Sequence, residues 1–309
     1  AYEISLGLVG SEMCIRDRSF IIAFSSFSIK SESHLRNFQN EIKRPYKITV
    51  DSIEREYYLH IPDNLPKNAP LIMIFHGYSG NALNTIKTTN FNQLADKSGF
   101  IACYPQGLID KDNNAFWQVG YTFHKDLDVD DVKFIQKLIE KLKSEFQLSK
   151  KNVFMTGFSN GGDFCNLLSC ETDGLFRAAA PIISCFMEEI FNNCQYANPM
   201  PTLMLNGTKD PITFWDGDMT DSQGYGPYIS TKSMINFRLK QIQHDKVIRD
   251  TLISSDSDDK TLVAIEKYSS SISENQVWMY SYLNGGHGYP DYLNLEEQIF
   301  SFFNIYLDK

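Results

Sequence analysis

Short apolar runs that end at glycine or proline most constrain the fold of this chain. Leu71–Phe75 (LIMIF) and Phe100–Tyr104 (FIACY) contain almost no polar residue, and such runs are typical of parallel strands covered on both faces. Asn152–Thr156 (NVFMT) is similar and leads directly into a glycine-rich turn. Segments with helical spacing lie between these runs. The alternation predicts an α/β fold with a mostly parallel central sheet and helices on both faces.

The same reading predicts the surrounding elements. We expect one helix over Asn84–Lys97 and another that is capped by Asp131. Val247–Ile253 and Thr261–Tyr268 flank a polar turn and predict a hairpin. Asn294–Leu307 is amphipathic and predicts a helix. With no internal repeat and no change of composition typical of a linker, one domain is the simplest interpretation.

Composition excludes several classes of protein. The chain has 309 residues, 42% of them hydrophobic, which excludes a disordered chain. Lys and Arg number 29 and Asp and Glu 38, so the net charge is −9, which argues against a nucleic-acid partner. No apolar run approaches the ~20 residues of a membrane-spanning helix, and we therefore expect no membrane partner.

The strongest local motif is Gly157-Phe158-Ser159-Asn160-Gly161, a G-x-S-x-G sequence between a predicted strand and a predicted helix. Such a turn lifts a serine hydroxyl above the edge of the sheet, and its glycines allow the strand and the helix to approach closely. A serine hydroxyl needs a base and an orienting acid to act as a nucleophile. The motif predicts Ser159 as that nucleophile.

A base and an acid can be chosen from the loops after later strands. His287, in the flexible turn GGHG directly after a predicted strand, is better placed than the other five histidines. Asp210 follows the predicted strand Thr202–Leu205 and lies between Ser159 and His287 in the chain. An acid at that point would hold the tautomer of the imidazole. Three later aspartates are alternatives for the acid: Asp216, Asp218 and Asp221.

Acyl transfer also needs two N–H donors aimed at the developing oxyanion. We expect one from the backbone of Asn160, beside the nucleophile at a helix N-terminus. The other should come from the loop after Leu71–Phe75, and we expect the N–H of Tyr78, with Gly77 as the alternative. His76 in the same loop is expected to be structural.

These segments together resemble a known family. The segments are PLIMIFHGYSG, LADKSGFIACYPQG, VDDVKFI, NVFMTGFSNGGDF, LMLNGTKDPI and NGGHGYP. From about Tyr46 to the C-terminus the chain resembles the polyhydroxybutyrate depolymerase and feruloyl esterase-like branch of the α/β-hydrolases, which is similar to carbohydrate esterase family 1. The resemblance implies an α/β-hydrolase fold with a triad of Ser159, Asp210 and His287.

The resemblance carries two further implications. Cys170 and Cys194 match positions where the family often has cysteines, and they are the candidates for a disulfide. Tyr289 stands where the family usually has a tryptophan, two residues after the histidine.

Aromatic side chains predicted near the serine suit flat acyl groups or sugar rings. Three of them are predicted to bind substrate: Trp117, Trp215 and Tyr289.

The residues and the resemblance predict a serine carboxylic-ester hydrolase that works through an acyl-enzyme. The substrates we expect are feruloyl or acetyl esters of polysaccharides or related small esters. We expect no metal, since the cysteines show no zinc-binding spacing, and no other cofactor, since the sequence contains no phosphate-cradling loop and no dinucleotide-binding motif. The alternatives are a polyhydroxybutyrate depolymerase, a peptidase on the same fold and, in another class, a catalytically inactive binding protein.

The N-terminal segments predict a location outside the cytoplasm. Residues 1–18 resemble translated sequencing-adapter read-through, and a genuine targeting peptide is the competing interpretation. Phe20–Phe27 (FIIAFSSF) resembles the apolar core of a secretory signal, although it could also be a buried helical turn. We therefore expect residues 19–43 to be a signal remnant with a linker, and residues 44–309 to be the catalytic domain. The protein is then predicted to be secreted or periplasmic.

Overall fold

A ten-stranded sheet forms the centre of the computed structural model. The structure describes residues 44–194, 198–255, 259 and 261–308, so the predictions for residues 1–43 lie outside the described residues. The strands are β1 Tyr46–Val50, β2 Ile53–His60, β3 Leu71–Phe75, β4 Ile101–Pro105, β5 Leu108–Ile109, β6 Ala115–Phe116, β7 Val153–Phe158, β8 Ala178–Ile182, β9 Thr202–Gly207, β10 Lys246–Ile253, β11 Leu262–Ser269 and β12 Gln276–Leu283. The helices are α1 Ala82–Thr88, α2 Phe91–Ser98, α3 Asp131–Glu145, α4 Asn160–Glu171, α5 Glu188–Asn193, α6 Thr231–Ile242 and α7 Leu295–Asn304.

The order of the strands confirms the predicted mostly parallel sheet. It runs β1-β2-β4-β3-β7-β8-β9-β12-β11-β10, and the neighbours from β4 through β12 are parallel. Antiparallel strands complete each edge, β1 and β2 on one side and β11 and β10 on the other. The pairing of β10 with β11 confirms the predicted hairpin. A separate hairpin joins β5 to β6.

Alternate side chains of β3 show that helices cover both faces of the sheet. Leu71, Met73 and Phe75 belong to one buried cluster, together with apolar residues of α3 and α4. Ile72 and Ile74 belong to a second cluster, which contains residues of α1, α2 and α7. Because successive residues of a strand point to opposite faces, these two clusters lie on opposite sides of the sheet. A strand buried on both sides needs the uninterrupted apolar sequence LIMIF.

Two predicted details of the helices are wrong. The single helix over Asn84–Lys97 is divided into α1 and α2, and the hydroxyl of Thr89, which follows α1, donates to the carbonyl of Thr85. The cap of α3 is Asp130, whose carboxylate accepts from the N–H of Lys133 at 2.8 Å. Asp131 is instead buried.

Asp131 forms a buried ion pair with Arg55 of β2. Its Oδ1 accepts from the Arg55 guanidinium at 2.6 Å, and its Oδ2 accepts from the backbone of Gln118 at 2.8 Å. The guanidinium also lies 4.0 Å above the ring of Phe134. The pair joins β2 to α3. Loss of either partner would leave an unpaired charge at this depth, which is strongly destabilising.

No helix within the described ranges is long and apolar enough to cross a membrane.

Candidate active site

The turn between β7 and α4 has the strained backbone of a nucleophile elbow. Ser159 has φ 51° and ψ −122°, a conformation that non-glycine residues rarely adopt. A Cβ added at Gly157 would lie 2.3 Å from the carbonyl oxygen of Gly161, and one added at Gly161 would lie 2.5 Å from that of His76. Both glycines are therefore required by close backbone approach, and they allow the serine to stand at the edge of the sheet.

Three side chains predicted from the sequence are hydrogen-bonded in series. The Oγ of Ser159 lies 3.0 Å from Nε2 of His287, and Nδ1 of His287 lies 2.7 Å from Oδ2 of Asp210. The other oxygen of Asp210 accepts from the N–H groups of Ile212 and Thr213 at 2.8 and 2.9 Å. These contacts assign the imidazole proton to Nδ1, so that the lone pair of Nε2 faces the serine hydroxyl.

The alternative acids occupy other places in the loop after β9. Asp218 accepts four hydrogen bonds from residues of its own loop, and Asp221 accepts from the N–H of Gly226 at 2.7 Å. Asp216 is exposed. The structure thus brings Asp210 to the imidazole, whereas Asp218 and Asp221 stabilise the loop.

The loops that carry the acid and the histidine are held together by their backbones. They follow β9 and β12, which are neighbouring parallel strands. The N–H of Lys209 donates to the carbonyl of Gly285 at 2.9 Å. A Cβ on Gly207 would lie 2.2 Å from the carbonyl oxygen of Gly286, so glycine is required where the two loops cross. This contact explains how residues 77 positions apart reach hydrogen-bonding distance.

The loop after β3 lies against the serine. A Cβ added at Gly77 would stand 3.5 Å from the Cβ of Ser159. Within the described ranges, no hydrogen-bond acceptor pairs with the backbone N–H of Tyr78 or of Asn160, the first residue of α4. Two donors with open positions therefore flank the serine, one of them at the positive end of a helix.

His76 supports this loop as a neutral side chain. Its Nε2 accepts from the N–H of Gly107 at 3.0 Å, and its Nδ1 lies 2.8 Å from the carbonyl of Gly77. Burial lowers the pKa of His76 to about 4. A neutral imidazole held on both nitrogens fits the structural role that the sequence predicts.

The prediction that Trp117 contacts substrate is wrong. Its side chain is fully buried, and its ring stacks on Phe164 at 4.9 Å. Its indole N–H donates to the carbonyl of His76 at 2.9 Å. Its backbone exchanges two hydrogen bonds with the side chain of Asn160, at 2.7 and 3.0 Å. Trp117 therefore supports the loop after β3 and the start of α4 from inside the protein.

The other two aromatic candidates keep part of their surface exposed. Tyr289 packs on Phe158 with ring centroids 5.2 Å apart, directly beside the serine, and burial raises the pKa of its phenol. Trp215 is half-buried in the loop after Asp210 and packs on the cluster that includes α6. Contact of these rings with substrate stays a prediction.

Asp163 is a buried acid that sequence reasoning missed. It lies one helical turn after Ser159 and accepts from the hydroxyl of Tyr121 and from the N–H of Cys185, the latter at 2.7 Å. Burial raises the pKa of Asp163 to about 7, although those hydrogen bonds act to lower it. No local sequence signal marks it, because its partners lie 42 and 22 residues away.

The predicted disulfide between Cys170 and Cys194 is confirmed, and it connects the end of α4 to the end of α5. The remaining cysteines of the described residues, Cys103, Cys165 and Cys185, are buried thiols. Among the residues that the structure describes, no group of three His, Cys, Asp or Glu side chains could hold a metal ion.

The sheet and the serine, acid and histidine at the carboxyl ends of its strands define an α/β-hydrolase fold. The chain belongs to the esterase PHB depolymerase family, whose sequence profile matches residues 55–230.

Curated relatives and solved structures agree with this family. A bifunctional acetylxylan esterase/xylanase, XynS20E of Neocallimastix patriciarum, is 27% identical over 158 residues, which are 51% of this chain and 22% of that protein. Feruloyl esterase B of Piromyces equi is 29% identical over 156 residues, or 50% and 28%. This chain thus spans about a quarter of the length of these two relatives. The structure of an acetyl xylan esterase from Aspergillus awamori has a TM-score of 0.59 at 13% identity and covers 85% of this chain and 100% of its own.

Proposed function

We propose that this protein is a carboxylic-ester hydrolase whose catalytic domain is formed by residues 44–309. The observation that carries the proposal is the uninterrupted hydrogen-bonded series from Ser159 through His287 to Asp210. A hydroxyl, an imidazole and a carboxylate in this order form the activated nucleophile of acyl transfer. The family and the names of the relatives support the same reaction class.

Acylation begins when Oγ of Ser159 attacks the ester carbonyl and Nε2 of His287 takes the hydroxyl proton. Asp210 stabilises the imidazolium through Nδ1. The tetrahedral intermediate collapses as the imidazolium protonates the leaving alcohol, so that an acyl-enzyme and a free alcohol remain. Water then attacks the acyl-enzyme with His287 again as the base, which releases the acid and restores the serine.

The oxyanion hole we propose consists of the backbone N–H groups of Tyr78 and Asn160. Both are unpaired within the described ranges, and Gly77, next to Tyr78, lies against the serine. Donors that are already in place stabilise the oxyanion without a cost of reorganisation when the charge develops.

For the substrate we propose feruloyl or acetyl esters of polysaccharides, or related small esters. The named activities of the two relatives support this class, as do the partly exposed rings of Trp215, in the loop after Asp210, and of Tyr289, which packs on Phe158 beside the serine. Aromatic faces stack on flat acyl groups and on sugar rings.

A polyester substrate is the second candidate. The family name supports it, and Ile212 and Met219, in the loop after Asp210, are 37% and 54% exposed. Such exposed apolar side chains suit a hydroxybutyrate chain.

Values of kcat/KM for methyl ferulate, acetylated xylan and a hydroxybutyrate oligomer separate the two candidates. We expect the first two substrates to be preferred and Trp215→Ala to weaken them. A preference for the oligomer that Trp215→Ala leaves unchanged would support the polyester instead.

We also propose that the protein is secreted or periplasmic. The disulfide supports this location, because disulfides persist in oxidising compartments. Fractionation of the native host, followed by detection of the protein with an antibody, tests the proposal. Recovery from the cytoplasmic fraction alone would contradict it.

Turnover of a p-nitrophenyl ester tests the enzymatic proposal against that of an inactive binding protein. We expect the wild type to hydrolyse the ester and Ser159→Ala to reduce kcat by about 10⁴-fold or more. Ser144→Ala, an exposed serine on α3, is the matched control and should retain wild-type activity. If the wild type does not hydrolyse any ester, or if Ser159→Ala retains most of the activity, the proposed function is wrong.

A further inference from the structure

The carboxylate of Asp110, at the turn between β5 and β6, collects four hydrogen bonds. Its Oδ2 accepts from the hydroxyl of Tyr78 at 2.7 Å and lies 3.1 Å from Nε2 of His124. Its Oδ1 accepts from the N–H groups of Asp112 and Asn114, both at 2.9 Å. Burial raises the pKa of Asp110, but the hydrogen bonds outweigh it and lower the pKa overall. The side chain is therefore an ionised acceptor with both oxygens occupied.

His124 serves as a donor to this carboxylate and has no access to substrate. It is 1% exposed, and its Nδ1 has no hydrogen-bond partner among the described residues, which assigns the proton to Nε2. Burial is the main cause that lowers its pKa. Its ring packs on Phe116 with centroids 4.2 Å apart. His124 thus fixes Asp110 from inside the protein.

The hairpin formed by β5 and β6 holds the loop after β3 at two consecutive residues. The hydroxyl of Tyr78 donates to Asp110 and accepts from the side-chain amide of Asn114 at 3.0 Å. The next residue, Ser79, donates its backbone N–H to the carbonyl of Ala115 at 2.9 Å. The side chain of Tyr78 is therefore tied to the hairpin, while its own backbone N–H has no partner within the described ranges.

From these contacts we infer that Asp110 is a positioning residue for ester hydrolysis and that it acts through Tyr78. The inference rests on the proposed function, in which the backbone N–H of Tyr78 stabilises the oxyanion. Within the described residues, the hydrogen bonds of the Asp110 carboxylate go to Tyr78, to His124 and to its own turn, and none goes to Ser159. By fixing the phenol, it limits the rotation of the peptide unit that carries the donor.

A donor of this kind contributes only when it is held about 3 Å from the position of the oxyanion. Loss of a whole oxyanion donor costs about 10²–10³-fold in kcat, and we expect loosening of one to cost about tenfold. The hydrogen bond from the N–H of Tyr78 to the oxyanion forms only in the transition state. Loosening it should therefore lower kcat, while KM stays within about twofold.

The test compares Asp110→Asn and Tyr78→Phe with Asp112→Asn. Tyr78→Phe removes the donor of the hydrogen bond to Asp110. Asp110→Asn replaces Oδ2 by an NH2 group, because the remaining amide oxygen is held by the N–H groups of Asp112 and Asn114. Both variants should lower kcat about tenfold with little change in KM. The double variant should be no slower than the slower single variant, because the two residues act through one contact. Asp112 lies in the same turn with its side chain exposed, and Asp112→Asn should retain wild-type kinetics.

A trifluoromethyl ketone gives a readout that a general loss of structure would not produce. Oγ of Ser159 adds to its carbonyl while Nε2 of His287 takes the hydroxyl proton, which leaves a tetrahedral oxyanion. The Ki of this ketone should therefore rise in Asp110→Asn and Tyr78→Phe by the factor that kcat/KM falls. The Ki of the corresponding methyl ketone, a ground-state ligand, should not change.

Two results would overturn the inference: an unchanged kcat in Tyr78→Phe, or a rise in KM and in the methyl ketone Ki with kcat unchanged. Tyr78→Phe keeps the test valid if Asp110→Asn fails to fold. Retained activity in Ser159→Ala would instead refute the proposed function, which keeps the two failures distinguishable.

Discussion

At the scale of single residues, the proposed nucleophile, base and acid could be found from the sequence because each is tied to a local signal. Ser159 lies in a motif whose glycines have a steric reason, and Asp210 and His287 follow apolar strands. Trp117 carries no local signal that distinguishes a ring facing substrate from a buried one. Its burial depends on His76 and Phe164, which are distant in sequence.

Asp163 leads to a prediction about stability and pH. Its pKa is raised from 3.8 to about 7 in the folded protein, so the folded state keeps a proton that the unfolded chain has already lost. The free energy of unfolding should therefore fall as the pH rises from about 4 to about 7. Asp163→Asn should lack this part of the decline, because an amide does not ionise.

Denaturant unfolding at a series of pH values measures this difference. Asp126→Asn, an exposed aspartate in the loop before α3, is the control, and its curve should follow that of the wild type. Parallel curves for the wild type and Asp163→Asn would show that Asp163 does not titrate in this range.

At the scale of secondary structure, the spacing of apolar residues predicts the strands and helices but not where they end or what they pair with. β3 and β4 are apolar throughout, and β7 begins with an apolar run, so these central strands could be predicted. The break between α1 and α2 lies at Thr89, whose backbone is extended, and the cap of α3 moves to Asp130 because Asp131 pairs with Arg55 on β2. The ion pair of Asp131 with Arg55 joins residues 76 positions apart, and such a long-range pair cannot be found from local spacing.

The disulfide gives a prediction at this scale. It closes a loop with a sequence separation of 24, and removing it by Cys170→Ala with Cys194→Ala should lower the free energy of unfolding by about 3 kcal/mol. Denaturant unfolding with and without reductant measures the effect. Reductant should destabilise the wild type and leave the double variant unchanged. A wild type that does not respond to reductant would contradict the prediction.

At the scale of the whole molecule, the sheet assembles the candidate site from distant parts of the chain. Ser159 and His287 are separated by 128 residues, yet the carboxyl ends of parallel strands bring them within 3.0 Å. The order of serine, acid and histidine in the chain therefore has structural meaning only once β7, β9 and β12 lie in one sheet. The hairpin that carries Asp110 has strands of two residues each, too short to produce a periodic signal.

The central claim is that Ser159 is an activated nucleophile, and covalent labelling with a fluorophosphonate tests it most directly. The serine oxygen would bond to phosphorus, fluoride would leave and His287 would take the proton. Peptide mass spectrometry should find one phosphonyl adduct, on Ser159, and no adduct in Ser159→Ala. A wild type that stays unlabelled, or that is labelled on another residue while Ser159 remains unmodified, would contradict the account.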